Sequence, residues 1–91
     1  MDDMERKVLQ KKLKALAGES RLAILAELRR RGRASVSVIA HAIDRSMTTA
    51  SIHLAHLERQ GIIERRQRGR EVFYRLSIPQ DEIVKRILQM L

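Results

Sequence analysis

Residues 46–60, Ser-Met-Thr-Thr-Ala-Ser-Ile-His-Leu-Ala-His-Leu-Glu-Arg-Gln, place hydroxyls and imidazoles along one short stretch. The chemistry open to them is hydrogen bonding, since a hydroxyl both donates and accepts. Ala50, Leu54 and Leu57 recur at spacings of four and three, so one stripe of a helix faces a core. At about 100° per residue, Thr48, Ile52, Ala55, His56 and Arg59 lie opposite, with Thr49 and Ser51 on the flanks. The N-terminal half of that outer face is short, uncharged and hydroxyl-rich. Such a surface can enter a DNA major groove and meet base edges. An ordinary amphipathic surface helix is the plainer alternative, because hydroxyls also favour helix starts.

Ser46 is expected to cap the helix, and Gly61 suits the left-handed residue past its end. The candidate groove residues are Ser46, Met47, Thr48, Thr49, Ser51, Ile52 and His53. The hydroxyls of Thr48, Thr49 and Ser51 lead the set. Ile52 could meet a thymine methyl group or be neutral, and Met47 could touch a base or pack locally. His53 and His56 stand three apart, a spacing that can bring two imidazoles to one metal. No Asp, Glu or Cys joins them or His41 at convincing spacing, so no metal site is expected. His53 falls beside the apolar stripe, which favours a packed imidazole with a backbone or phosphate partner.

The elements that must hold this helix come before and after it. Residues 4–17 read as a first helix, with Leu9, Leu13, Leu16 and Ala17 on one stripe. Gly18 breaks it. Residues 19–31 form a second, with Leu22, Leu25 and Leu28 inward and Ile24 and Ala26 beside them. Arg29, Arg30 and Arg31 crowd its last turn, where they match the helix dipole or could touch phosphate. Residues 35–43 make a short third helix with Ser35 as a possible cap. Asp44-Arg45 is then a tight connection, and the pair of helices around it has the form of a helix-turn-helix.

After Gly61 the period drops to two, so residues 62–67 and 71–76 read as strands around a glycine turn. The tip carries Arg66, Arg68 and Arg70. A hairpin placed directly after a recognition helix is a wing, and its arginines can reach phosphates or a minor groove. A charged edge that deters aggregation is the alternative. The last helix spans 79–91, starting at Pro79, with Asp81 and Glu82 in its first turn. Ile83, Val84, Ile87, Leu88 and Leu91 form its broad apolar stripe. Either a second copy covers that stripe, or the helix folds back on its own domain.

The whole chain narrows the partners. Its 91 residues make one domain, which buries roughly 60–65% of its unfolded surface and would gain from dimerisation. Nineteen basic residues against eleven acidic give a formal charge of +8, which points to a polyanion. Only Phe73 and Tyr74 are aromatic, which argues against stacking single strands. Cysteine is absent, which closes disulfide and zinc-thiolate chemistry. No signal peptide or membrane span is recognisable, so a cytoplasmic, nucleoid-associated protein is expected. No phosphate-binding glycine loop or nucleophile triad supports an enzyme, and no cofactor is expected.

Leu13-Lys14-Ala15-Leu16-Ala17-Gly18-Glu19-Ser20-Arg21-Leu22-Ala23-Ile24-Leu25 resembles the entry of the ArsR/SmtB family of winged-helix repressors. Ser51-Ile52-His53-Leu54 and Leu57 resemble that family's recognition helix, and Gly61-Ile62-Ile63 with residues 69–76 resembles its wing. The match covers about residues 9–77. The resemblance implies a mainly α, winged helix-turn-helix fold, with four helices, two strands and a last helix in order. It further implies a homodimeric regulator of double-stranded DNA, usually a repressor released by an inducer. It places the dimer interface on the first and last helices, here Leu9, Leu13, Ile83, Val84, Ile87, Leu88 and Leu91.

The chain departs from the family at its sensing sites. Where many members carry Cys-Val-Cys, it has Ser35-Val36-Ser37, and hydroxyls are poor ligands for soft metals. Asp81 stands on the last helix, but no histidine lies between residues 57 and 91. Metal and thiol sensing are therefore not expected, and the inducer is open. The expectation is a dimer reading an inverted repeat. A protein-interaction module on the same scaffold, or a nonspecific architectural DNA binder, are the other classes.

Overall fold

Five helices and one antiparallel hairpin follow each other along the chain, which the computed structural model describes over residues 1–91. They are α1 (Asp3–Leu16), α2 (Glu19–Arg31), α3 (Val36–Ala42), α4 (Met47–Arg59), β1 (Ile63–Arg68), β2 (Glu71–Leu76) and α5 (Glu82–Met90). The order is that of a winged helix-turn-helix. No helix is long and apolar enough to cross a membrane.

One apolar cluster ties the elements together. Ile24, Leu25 and Leu28 of α2, Ile39 and Ala40 of α3, and Ala50, Leu54 and Leu57 of α4 all lie in it. Ile62, Ile63 and Tyr74 join from the hairpin side, and Val84 from α5. Leu54 and Leu57 have no exposed surface, so each contributes about 1.5–3 kcal/mol of burial that seats α4 on the core. α1 is held more lightly, with only Ala15 and Leu16 buried. Ala17, expected on the inward stripe, is exposed, because α1 ends at Leu16 and the chain turns away there.

Polar side chains set most helix starts. Asp2 and Glu5 form a reciprocal capping box that begins α1 at Asp3, one residue ahead of its expected start. Ser35 and Ser46 cap α3 and α4 by accepting from the amides of Val38 and Thr49. The last helix starts later than expected. Asp81, not Pro79, defines its start: the Asp81 carboxylate accepts from the Ile83 amide, and the helix runs from Glu82. A carboxylate offers the free amides a charged acceptor, whereas proline only tolerates the position.

Two chain reversals frame α4. After α3, Asp44 adopts a φ of 54°, its amide donates to the His41 carbonyl, and the Arg45 amide donates to Ala40. After α4, Gly61 adopts a φ of 71°, its amide donates to Glu58, and the Ile62 amide donates to Leu57. Both are left-handed terminations in which crossed amides satisfy the last carbonyls.

In the hairpin, Ile63 pairs with Leu76 and Arg68 with Glu71. Arg68 is thus the last residue of β1, leaving Gly69 and Arg70 at the turn. Sequence periodicity does not reveal a third edge. Ala34 exchanges two backbone hydrogen bonds with Tyr74, at 3.0 and 2.8 Å, which fastens the α2–α3 link to β2. A single bridging residue has no period to detect.

Candidate nucleic-acid interface

The N-terminal tip of α4 is a polar, uncharged ridge. Met47 and Ile52 are 53% and 54% exposed, and Thr48 and Ser51 lie open beside them. The hydroxyls divide into two kinds. Ser46 Oγ accepts from the Thr49 amide and donates to Thr49 Oγ1, both at 3.1 Å. Those two therefore hold the helix start together. Thr48 and Ser51 make no hydrogen bond within the chain, so their donors and acceptors face outward.

His53 is half-buried on the flank of α4 and leans on α2. Its Nδ1 accepts from Nε of Arg21 at 3.1 Å. Burial first, then the neighbouring Arg21 and more weakly His56 and Arg45, hold its proton affinity below the ordinary histidine value. Sequence reading anticipated a packed imidazole but did not identify Arg21. Thirty-two positions separate the two residues, and no local spacing links them.

Most of the wing's charged side chains share one face, with Arg65 on the other. In an antiparallel pair, opposed residues share a face, so Arg66 lies beside Phe73, Arg68 beside Glu71 and Glu64 beside Arg75. Arg66 is tied down by an ion pair with Glu64 at 2.9 Å, and Arg75 reaches the same carboxylate at 3.1 Å. The Arg75 hydrogen bond is the main cause that holds Glu64 below the usual carboxylate range, with help from the Ile78 amide and Arg66. Arg68 and Arg70 form no ion pair in the chain. Of the arginines expected at the tip, these two are free to meet phosphate and Arg66 is partly committed. Arg33 also stands here, 4.9 Å from the Phe73 ring centroid, beside a cleft of about 290 Å³.

A second surface is apolar. Leu13, Leu16, Ala17, Leu22, Ile87, Met90 and Leu91 line an open recess of about 400 Å³ between α1, α2 and α5. Leu13 and Leu91 are 42% and 48% exposed there. Of the residues expected at a dimer interface, the recess gathers Leu13, Ile87 and Leu91. Leu9 is half-exposed on α1, and Ile83 and Leu88 pack partly against the core. Val84 is a correction: it is fully buried in the domain's own core and has no surface left for a partner. The stripe of α5 is wide enough that its inner edge folds back while its outer edge stays open.

At the positions that align with the family's sensing sites, the polar groups are engaged. Ser35 and Ser37 hydroxyls lie 3.1 Å apart. The Asp81 carboxylate, besides capping α5, takes the Lys12 ammonium at 2.7 Å. That hydrogen bond is the main cause that holds Asp81 below its ordinary value.

Comparison with known proteins gives the same architecture. A family model described as a helix-turn-helix domain matches residues 16–66. A cadmium resistance transcriptional regulatory protein, CadC homolog, of Staphylococcus aureus is 37% identical over 79 residues, covering 87% of this chain and 63% of that protein. The transcriptional activator HlyU of Vibrio cholerae is also 37% identical over 79 residues, covering 87% of this chain and 69% of that protein. The chain thus spans a little under two thirds of the first relative's length. Among solved structures, reduced HlyU of Vibrio cholerae superposes with a TM-score of 0.79 at 33% identity, covering 100% of this chain and 94% of that one. A homodimeric winged helix-turn-helix DNA-binding domain of Mycobacterium bovis, described as a possible ArsR-family transcriptional regulator, gives a TM-score of 0.81 at 32% identity, covering 99% and 82%.

Proposed function

The chain belongs to the ArsR/SmtB family of winged helix-turn-helix transcriptional regulators, and on that premise we propose that it is a homodimeric repressor reading an inverted repeat in duplex DNA. The observation that carries this is the tip of α4: outward Thr48 and Ser51 hydroxyls beside exposed Ile52, on a chain whose wing also carries unpaired Arg68 and Arg70. Hydroxyls and a branched apolar side chain suit base edges and thymine methyls in a major groove. The arginines suit phosphates or the neighbouring minor groove, which fix register without reading sequence. Ser46 and Thr49 hold the helix start, and Met47 stands at its entry.

Two copies related by a two-fold axis would present two such helices to half-sites about one helical turn apart. The recess of Leu13, Ile87 and Leu91 supports that pairing, since an apolar surface of this kind gains by leaving water. Leu9, Ile83 and Leu88 would contribute its edges. One domain of residues 1–91 would then serve both tasks, with α1 and α5 forming the interface. We further propose that the repressor is not a metal or thiol sensor. The paired Ser35 and Ser37 hydroxyls, the engaged Asp81 and the absence of cysteine support this.

The test is equilibrium binding of labelled duplex and single-stranded DNA, followed by anisotropy at rising salt. Tight, salt-sensitive binding of duplex over single strand is expected. Equal affinity for both would contradict groove reading by α4.

A further inference from the structure

The Arg21 guanidinium joins three helices. Its Nε–H donates to His53 Nδ1 at 3.1 Å on α4, and an Nη–H donates to the Ala15 carbonyl at 3.3 Å at the end of α1. Arginine keeps all its protons in a protein, so it can only donate. His53 Nδ1 must therefore present its lone pair. A neutral imidazole in that setting carries its one proton on Nε2. That Nε2 has no partner within the chain, and the side chain is half-exposed.

We propose that Arg21 is a positioning residue for DNA binding: it fixes His53 as the Nε2–H tautomer and offers that N–H to a backbone phosphate of duplex DNA. This rests on the groove-reading role of α4 proposed above. The ring lies on the flank of α4, tied back to α2, while Thr48 and Ile52 hold the outer ridge. A helix in a major groove turns its ridge to the bases and its flanks to the sugar–phosphate walls, where every acceptor is a phosphate or sugar oxygen. With the Arg21 Nε–H occupying the Nδ1 lone pair, and with burial and the neighbouring Arg21 lowering the ring's proton affinity, the contact is a single N–H donor. Because Arg21 is itself held by Ala15, the donor is set before DNA arrives, and little ordering cost remains at binding.

Two kinds of measurement decide it. Long-range proton–nitrogen NMR on the free protein reads the tautomer without DNA. The Nε2–H form is expected in the native protein, with mixed tautomers and a raised His53 pKa in Arg21→Met. Anisotropy with duplex DNA then compares His53→Asn with His53→Gln. Asparagine places an acceptor where Nδ1 was and leaves nothing at the Nε2 position, whereas the glutamine amide reaches it as a donor. His53→Asn should weaken binding roughly tenfold on every duplex, with His53→Gln recovering most of that loss. The salt slope should not change, because a neutral donor releases no counterion.

An Nδ1–H tautomer in the native protein, an unmoved tautomer in Arg21→Met, or native-like binding by His53→Asn would each overturn the proposal. If Arg21→Met fails to fold, the native tautomer and the two His53 variants still decide. Native protein with no duplex affinity would overturn the phosphate contact together with the groove reading. A duplex-binding native protein whose His53→Asn is unaffected would overturn the contact alone.

Discussion

At the scale of residues, the hydroxyls at the tip of α4 divide by what they already hold. Ser46 and Thr49 satisfy each other, whereas Thr48 and Ser51 have nothing to satisfy them but solvent or DNA. Replacing Thr48 and Ser51 together by alanine should therefore lower affinity for the preferred duplex about tenfold or more and blur its sequence preference, with the fold unchanged. Arg68→Ala should instead weaken all duplexes alike and flatten the log–log salt slope by about 0.9, as one phosphate contact is lost. Titrations of both variants against matched and scrambled duplexes separate the two roles, and a site-selective loss in Arg68→Ala would mean that the wing reads bases. The hydroxyls were legible because local spacing places them on one helix face. Arg21 and Arg33 were not, because their partners His53 and Phe73 lie 32 and 40 positions away and meet them only through the fold.

At the scale of elements, helix ends and connections carry most of the information. The caps Ser35 and Ser46 and the terminator Gly61 were readable because each acts on its own neighbours. The start of α5 lies at Asp81 rather than Pro79 because the carboxylate caps the Ile83 amide; what local spacing does not reveal is its second partner 69 positions away, the Lys12 ammonium of α1. That contact has a pH signature. The Asp81 carboxyl titrates below its ordinary value when folded, so its contribution to stability is fully present above the ordinary carboxylate pKa. It declines as pH falls below that value and is gone below the folded pKa. Urea denaturation from neutral to acid pH should show native protein losing stability across that window. Asp81→Ala should be less stable by about 1 kcal/mol at neutral pH, from the lost cap alone, and should fall less steeply. Identical pH profiles for the two proteins would show that Asp81 does not anchor α5.

At the scale of the whole molecule, two surfaces differ in kind. One presents α4 and an arginine-bearing wing, and the other is an open apolar recess between α1, α2 and α5. The stripes of α2 and α4 made the architecture legible, since burial follows period there, whereas in β2 only Tyr74 is buried and its neighbours on both faces are half-buried. How far α5 folds back was not legible, because its stripe is broad enough to serve two surfaces at once. Val84 went to the core and Leu91 to the recess. Leu13→Glu places a charge in that recess at a position already partly exposed in the single copy. Sedimentation should show a folded monomer in place of a dimer, with the loss of tight operator binding that two linked half-sites supply. A variant that remained dimeric would move the interface elsewhere.

The most direct test is selection of bound sequences from a random duplex library, at a salt concentration that suppresses nonspecific association. An inverted repeat with half-sites about one helical turn apart, or a multiple of it, is the predicted outcome. Recovery of DNA without any shared motif, or of no DNA by a folded protein, would contradict the central claim that α4 reads sequence in a two-fold dimer.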